Sequence, residues 1–141
     1  FGASSAGGGG GMTKQNKPRL WVRMFQKEFA PKILSGEKFT TIRPIPKIMP
    51  QVGDIQSNRV WAGKPYRSKQ TVLNKVVLTK VQLVTISSNG IVIKGAGRVD
   101  EEMIAINDGF PNWDEMRRWF FGRYNLPRDF VLYGWGKAVQ S

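Results

Sequence analysis

Polar and apolar residues alternate with a period of two in several short segments of this chain, and helical spacing separates some of them. Residues 19–25 (Arg19, Leu20, Trp21, Val22, Arg23, Met24, Phe25) read as a first strand. Phe25, Phe29, Ile33 and Leu34 then recur at helical spacing, with Pro31 compatible only with the first turn of a short helix. Gly36 is a natural stop, because glycine accepts the left-handed backbone at a helix C-terminus. From residue 38 the period returns to two. Phe39, Thr41 and Arg43 share one face of a strand and Thr40 and Ile42 the other, while Lys38 stands at the strand's start, where its stem reaches either side.

Pro44, Pro46 and Pro50 predict an extended loop, and Val52-Gly53-Asp54 a turn into a strand over residues 55–61. Residues 63–71 are polar and basic, a loop between strands. Residues 72–87 are rich in β-branched side chains and read as one long bent strand or two short ones. Asn89-Gly90 predicts a hairpin into residues 91–93, and Gly95 and Gly97 a bulge or tight curvature. Asp100 is a candidate N-cap for a helix through Ile106, and Asn112 caps a second helix with Glu115 placed as in a capping box. On that helix Trp113, Met116, Phe120 and Tyr124 lie on one inward side. Residues 130–135 close the chain as an aromatic strand. Curved strands with helices near one end give an α+β domain on a small, partly closed β-barrel of about five to six strands and two to three helices.

Composition narrows the chemistry. The chain has 141 residues; residues 1–11 are uncharged and glycine-rich and read as an appended leader, with a short basic arm over 12–18 and a single domain over 19–141. With no cysteine, disulfides, thiolate metal sites and cysteine nucleophiles are excluded. With no histidine, the usual general base and most zinc sites go too. No apolar run is long enough to span a bilayer, so the expectation is a cytoplasmic monomer without cofactor or metal. Net charge is +12, and its distribution is uneven: no acid lies between Asp54 and Asp100, where Arg59, Lys64, Arg67, Lys69, Lys75, Lys80, Lys94 and Arg98 all fall. Such a basic half attracts polyphosphates at long range.

The order Phe25-x3-Phe29-x3-Ile33-Leu34-x-Gly36-x-Lys38-x2-Thr41-Ile42-Arg43, then Gly53-Asp54, Asp108-Gly109-Phe110 with Trp113, Trp119-Phe120 and a final strand holding Trp135 is similar to the ASCH domain of the PUA-like superfamily. The resemblance covers roughly residues 19–136. It implies a small barrel with helices at its rim, a cleft beside them, and RNA as partner. It also implies a second activity: one bacterial branch removes the acetyl group from N(4)-acetylcytidine, using a lysine and a threonine spaced as Lys38 and Thr41 are, plus a glutamate. That glutamate's place in chain order falls near Asp108, one methylene shorter.

Each candidate has a plainer alternative. Lys38, made neutral by burial or by the Arg43 charge, can serve as a base for Thr41 or for water; otherwise it is a surface lysine after a helix cap. Thr41 without Lys38 reflects only strand propensity. Arg43 can pin a phosphate or a pyrimidine carbonyl, or bridge to Asp54 or Asp108. Asp108 can act as an acid at the leaving amine, or cap its own turn before Gly109. Asp100, Glu101 and Glu102 read as helix capping rather than a metal site. Trp61 and Tyr66 among Arg59, Lys64, Arg67 and Lys69 suit single-stranded RNA, with Tyr66 the better stacking ring and Trp61 also able to fill the barrel. Trp113, Trp119, Phe120 and Trp135 are assigned to the core. The leading expectation is an RNA- or modified-nucleoside-binding domain; the alternatives are a metal-independent N-acyl-pyrimidine amidohydrolase and a protein-interaction module.

Overall fold

The computed structural model describes residues 17–138. The strands are β1 (Leu20–Met24), β2 (Thr40–Pro44), β3 (Ile55–Trp61), β4 (Gln70–Ser87), β5 (Gly90–Ile93), β6 (Gly97–Arg98) and β7 (Arg128–Ala138). The helices are a 3-10 turn at Lys27–Phe29 running into α1 (Ala30–Ser35), then α2 (Glu101–Asn107) and α3 (Trp113–Arg123). The chain is thus α+β. The leader over residues 1–11 and most of the basic arm lie outside the described residues.

The β-branched run forms one continuous strand of 18 residues, β4, and this strand is the spine of the sheet. Along one edge it pairs antiparallel with β3 through its first half and with β5 through its last residues; along the other it pairs with β7. β1 adds parallel to β3, and β2 adds antiparallel to β7. The outermost strands, β1 and β2, share no ladder among the described residues. Arg43 joins them instead, its Nη2 donating to the Met24 carbonyl at 2.7 Å. The sheet is therefore not closed by strand pairing, although its curl is compatible with a PUA-like barrel. The Gly95 and Gly97 turn, where both residues take positive φ, returns the chain as the two-residue β6 rather than as a bulge.

The alternation of β2 sets up two environments. Ile42 joins Val84, Ile86, Phe130 and Leu132 in a core covered by Ala105 of α2 and Met116 and Phe120 of α3. Thr41 and Arg43 face the other way, in register with Tyr133 and Val131. Trp113 and Tyr124 pack against the first core and Trp135 lies in a second with Phe25 and Val60. Both predicted caps form: Asp100 accepts from the amides of Glu102 and Met103, and Asn112 from that of Glu115. Asp54 accepts from the amides of Arg19 and Gln51 and from the Trp21 indole, which ties the starts of β1 and β3 together.

Candidate functional site

Two chain turns build the floor of a cleft of about 610 Å³. Gly36 ends α1 with a φ of 87°, and the Lys38 amide then bonds back to the Lys32 carbonyl, which turns the Lys38 side chain inward. Opposite it, α2 ends at Asp108-Gly109-Phe110, and the Phe39 amide donates to the Asn107 carbonyl. Gly109 has a φ of 94°, and a Cβ there would stand 2.9 Å from Lys38 Cδ and 3.0 Å from the Phe29 ring. Only glycine lets the lysine stem pass this close.

Lys38 is 2 % exposed, so it is not a surface lysine. Its Nζ donates to the carbonyls of Thr40, at 2.8 Å, and Asp108, and lies 3.7 Å from Asp108 Oδ1. The Asp108 carboxyl, 4 % exposed, accepts from Thr40 Oγ1 at 2.8 Å rather than capping its own turn. The rings of Phe29 and Phe25 flank the amine at 4.9 and 5.4 Å. Burial draws the Lys38 ammonium down to about 8; the Asp108 carboxylate opposes this and the Arg43 charge adds to it. Burial likewise pushes the Asp108 carboxyl up, against the pull of Lys38.

Thr41 and Arg43 project from β2 onto the same cleft. Arg43 Nε donates to Thr41 Oγ1 at 3.0 Å, and the guanidinium lies 4.9 Å from the Phe25 ring. Neither Asp54 nor Asp108 bonds Arg43. The walls are aromatic. Trp61, at the end of β3, and Tyr66, in the loop that follows, pair at 5.1 Å between ring centroids. Tyr66 is 88 % exposed and holds a left-handed φ of 63°, unusual for a bulky residue. Its loop is tied by Ser68, which accepts from the Gly63 amide and donates to the Lys64 carbonyl.

Of the residues singled out in the sequence, Lys38, Thr41, Arg43, Tyr66 and Asp108 meet at this cleft. Arg59, Lys64, Arg67 and Lys69 do not line it: Arg59 bonds Ser57 and Gln70, and the other three are exposed on the loop. Asp100, Glu101 and Glu102 are used internally, by the α2 amides, by the Ile91 amide with Arg98, and by the Trp113 amide. No cluster of acids able to hold a metal ion occurs among the described residues.

Three participants escaped the sequence reading. Trp119, assigned to the core, is half-buried and lines the cleft, with Arg123 stacked over its ring at 4.0 Å; the four-residue spacing of this pair on α3 was the available signal. Thr40 holds Asp108 from the opposite face of β2, which no local pattern announces. Arg23 lies over the Tyr133 ring at 4.6 Å, on the same side of β1 as Trp21, and the alternation of that strand was its signal.

Among the described residues no helix is long and apolar enough to cross a membrane. No family model matches the chain, and no curated protein matches it at significant similarity. Among solved structures, protein EF3133 from Enterococcus faecalis V583, of the family-model DUF984, is similar, with a TM-score of 0.54 at 18 % identity over 89 % of this chain and 82 % of that chain. The likeness extends across nearly the whole sheet-and-helix arrangement and shows that the two chains share a fold.

Proposed function

We propose that the cleft binds a modified pyrimidine nucleoside, free or unstacked from an RNA strand. One observation carries this reading: polar groups able to address a base edge (Lys38, Thr41, Arg43) lie at the floor of a cleft walled by Trp61, Tyr66 and Trp119. Aromatic faces stack on a base, and each stack is worth about 1–3 kcal/mol. The resemblance to ASCH domains points the same way. Arg59, Lys64, Arg67 and Lys69 then act outside the cleft, drawing the phosphates of a longer RNA toward it.

A second reading, hydrolysis of an N-acyl group on the pyrimidine, is favoured by how Lys38 is held. A neutral amine has two N–H donors, and two backbone carbonyls accept from Nζ here; the lone pair is then free to take a proton. The Arg43 donor on Thr41 Oγ1 favours loss of that hydroxyl's proton. Thr41 Oγ adds to the acyl carbon as its proton passes to Lys38. Collapse breaks the C–N bond and returns the proton to the exocyclic nitrogen, leaving an ester on Thr41. Water, deprotonated by Lys38, releases the carboxylic acid and restores the hydroxyl.

The deciding experiment incubates the protein with N(4)-acetylcytidine and follows cytidine by chromatography, beside Lys38→Ala. Release that vanishes in the variant makes the protein an amidohydrolase. No release, with binding of the nucleoside retained, leaves the binding reading alone. Neither release nor binding removes both.

A further inference from the structure

The cleft carries more positive charge than its protein surroundings balance. Its charged lining consists of Lys27, Lys38, Arg43 and Arg123 against the single carboxylate of Asp108. The Asp108 carboxyl is already engaged by Thr40 and Lys38. Beside the floor, Arg23 packs on the ring of Tyr133, which pairs in register with Thr41, two residues from Arg43 on the same face of β2. Burial, with the Arg23 charge second, draws the Arg43 guanidinium down to about 10. A guanidinium does not give up its proton at working pH, so both charges stay, on either side of the Thr41–Tyr133 pair and largely out of water. Buried charge of one sign is held at a cost unless a counter-charge arrives.

The donors are also incompletely used. Arg43 bonds within the protein through Nε and Nη2, which leaves Nη1 without a protein partner among the described residues. The Arg23 guanidinium carbon lies over the Tyr133 ring, 4.6 Å from its centroid. Arg23 Nε and Tyr133 Oη are buried without a hydrogen-bond partner among the described residues, and Tyr133 is fully buried. Unpartnered buried donors of this kind are rare in folded proteins. Two guanidinium groups and a phenol thus gather on the inner face of the curled sheet, next to the cleft floor.

We infer that the ligand of this cleft carries an oxyanion, a phosphate or a carboxylate, which it places against Arg43, with Arg23 beside the floor. This rests on the nucleoside reading and deepens it: the preferred ligand is a nucleotide, or a nucleoside whose acyl group bears a carboxylate, rather than a neutral nucleoside. Planar guanidinium groups suit either oxyanion. The inference is distinct from long-range attraction by the exposed loop, because these groups are inside and salt screens them little.

Calorimetric titration tests it with cytidine, cytidine 5′-monophosphate, inorganic phosphate and acetate at about 0.3 M sodium chloride, where exposed charges are screened. The monophosphate binds at least tenfold tighter than cytidine, and Arg43→Gln brings it down to the cytidine level. Competition by inorganic phosphate identifies phosphate as the recognised group, and competition by acetate a carboxylate. Should Arg43→Gln fail to fold, Arg23→Gln lowers the same preference. Equal binding of cytidine and its monophosphate, with neither small anion competing, overturns the inference. Arg43-dependent binding of phosphate or acetate, with no binding of either nucleoside compound, keeps the anion site and removes the nucleoside reading.

Discussion

Two cationic regions of this molecule have similar residue types and opposite physics. In the loop between β3 and β4, Lys64, Arg67 and Lys69 are exposed and make no ion pair among the described residues. At the cleft floor, Lys38 and Arg43 are packed against phenylalanine rings and carbonyl groups, and Lys38 meets a buried carboxylate. A charge in the first region interacts weakly and at long range. In the second, its protonation state and hydrogen-bond partners are set by the fold. Net charge therefore says little about which cations do chemistry here; burial says much more.

The strongest way to break the comparison is to remove the buried amine. If the hydrolytic reading holds, Lys38→Ala lowers cytidine release from N(4)-acetylcytidine by about a thousandfold or more, in the range expected for loss of a general base. The pH profile carries a sharper signature. The base must be neutral, and with a value of about 8 the neutral fraction of Lys38 grows as pH rises. Below that point the rate climbs about tenfold per pH unit, and above it the rate levels off. An unperturbed lysine, at 10.5, gives a profile still climbing at pH 9. The same shift has a stability consequence. Between about 8 and 10.5 the unfolded chain holds a proton that the folded one has shed, so this group's contribution to stability rises with pH across that window.

Next in size is the carboxylate. Asp108→Ala leaves the Lys38 charge buried with two carbonyls and no counter-ion, and removing one member of a buried pair costs about 3–5 kcal/mol. Asp108→Asn keeps a carboxamide that still accepts from Thr40 and costs less than the alanine. Chemical denaturation of the two variants separates them. Equal losses mean that the carboxylate charge, which both variants lack, accounts for the whole cost, and an asparagine variant as stable as the parent means that this charge is not what balances Lys38.

These two residues also show where the sequence was legible. Period-two alternation placed Thr41 and Arg43 together, and the Arg43 Nε to Thr41 Oγ1 bond is the direct outcome. The two caps, the glycine stop after α1 and the long β-branched strand depend on local chemistry within a few residues, and all were readable. The meeting of Lys38 with Asp108 depends on chain closing back on β2 over a separation of 70 positions, and no spacing encodes it. Thr40 was unreadable for the same reason, since its role exists only once α2 ends beside it. The partly closed barrel expected from the curved strands agrees with the sheet, which stays open where β1 and β2 approach and Arg43 bonds across to Met24 in place of a ladder. Trp119 packs against the core as expected and also lines the cleft, because aromatic content on α3 marks the buried stripe without saying how wide it is.

Tyr66 tests the boundary between the two regions, since it belongs to the exposed loop yet lines the cleft. Tyr66→Ala removes the ring that leans at 49° against Trp61 and weakens nucleoside binding by about 1–3 kcal/mol if a base lies on it. Tyr66→Gly separates stacking from backbone strain. It loses the same affinity but relieves the left-handed φ, so its thermal stability is equal to or above that of the parent. Unchanged nucleoside affinity in both variants assigns Tyr66 to the loop alone.

The smallest effect on the fold belongs to the loop itself. Lys64→Glu with Arg67→Glu changes stability by no more than about 0.5 kcal/mol per site, as for surface positions without partners. Their reach is outward, to a polyanion. If each cation meets one phosphate of single-stranded RNA, the double reversal lowers the slope of log affinity against log salt by about 1.4. Nucleoside binding in the cleft is unaffected, because a neutral base does not respond to screened charge outside the site. The comparison fails in either of two ways. A reversal that weakens free nucleoside as strongly as RNA places the loop cations in the cleft's own chemistry. One that leaves the RNA salt slope unchanged shows that the exposed charges only solvate their loop, and that whatever draws RNA to this protein lies at the buried floor.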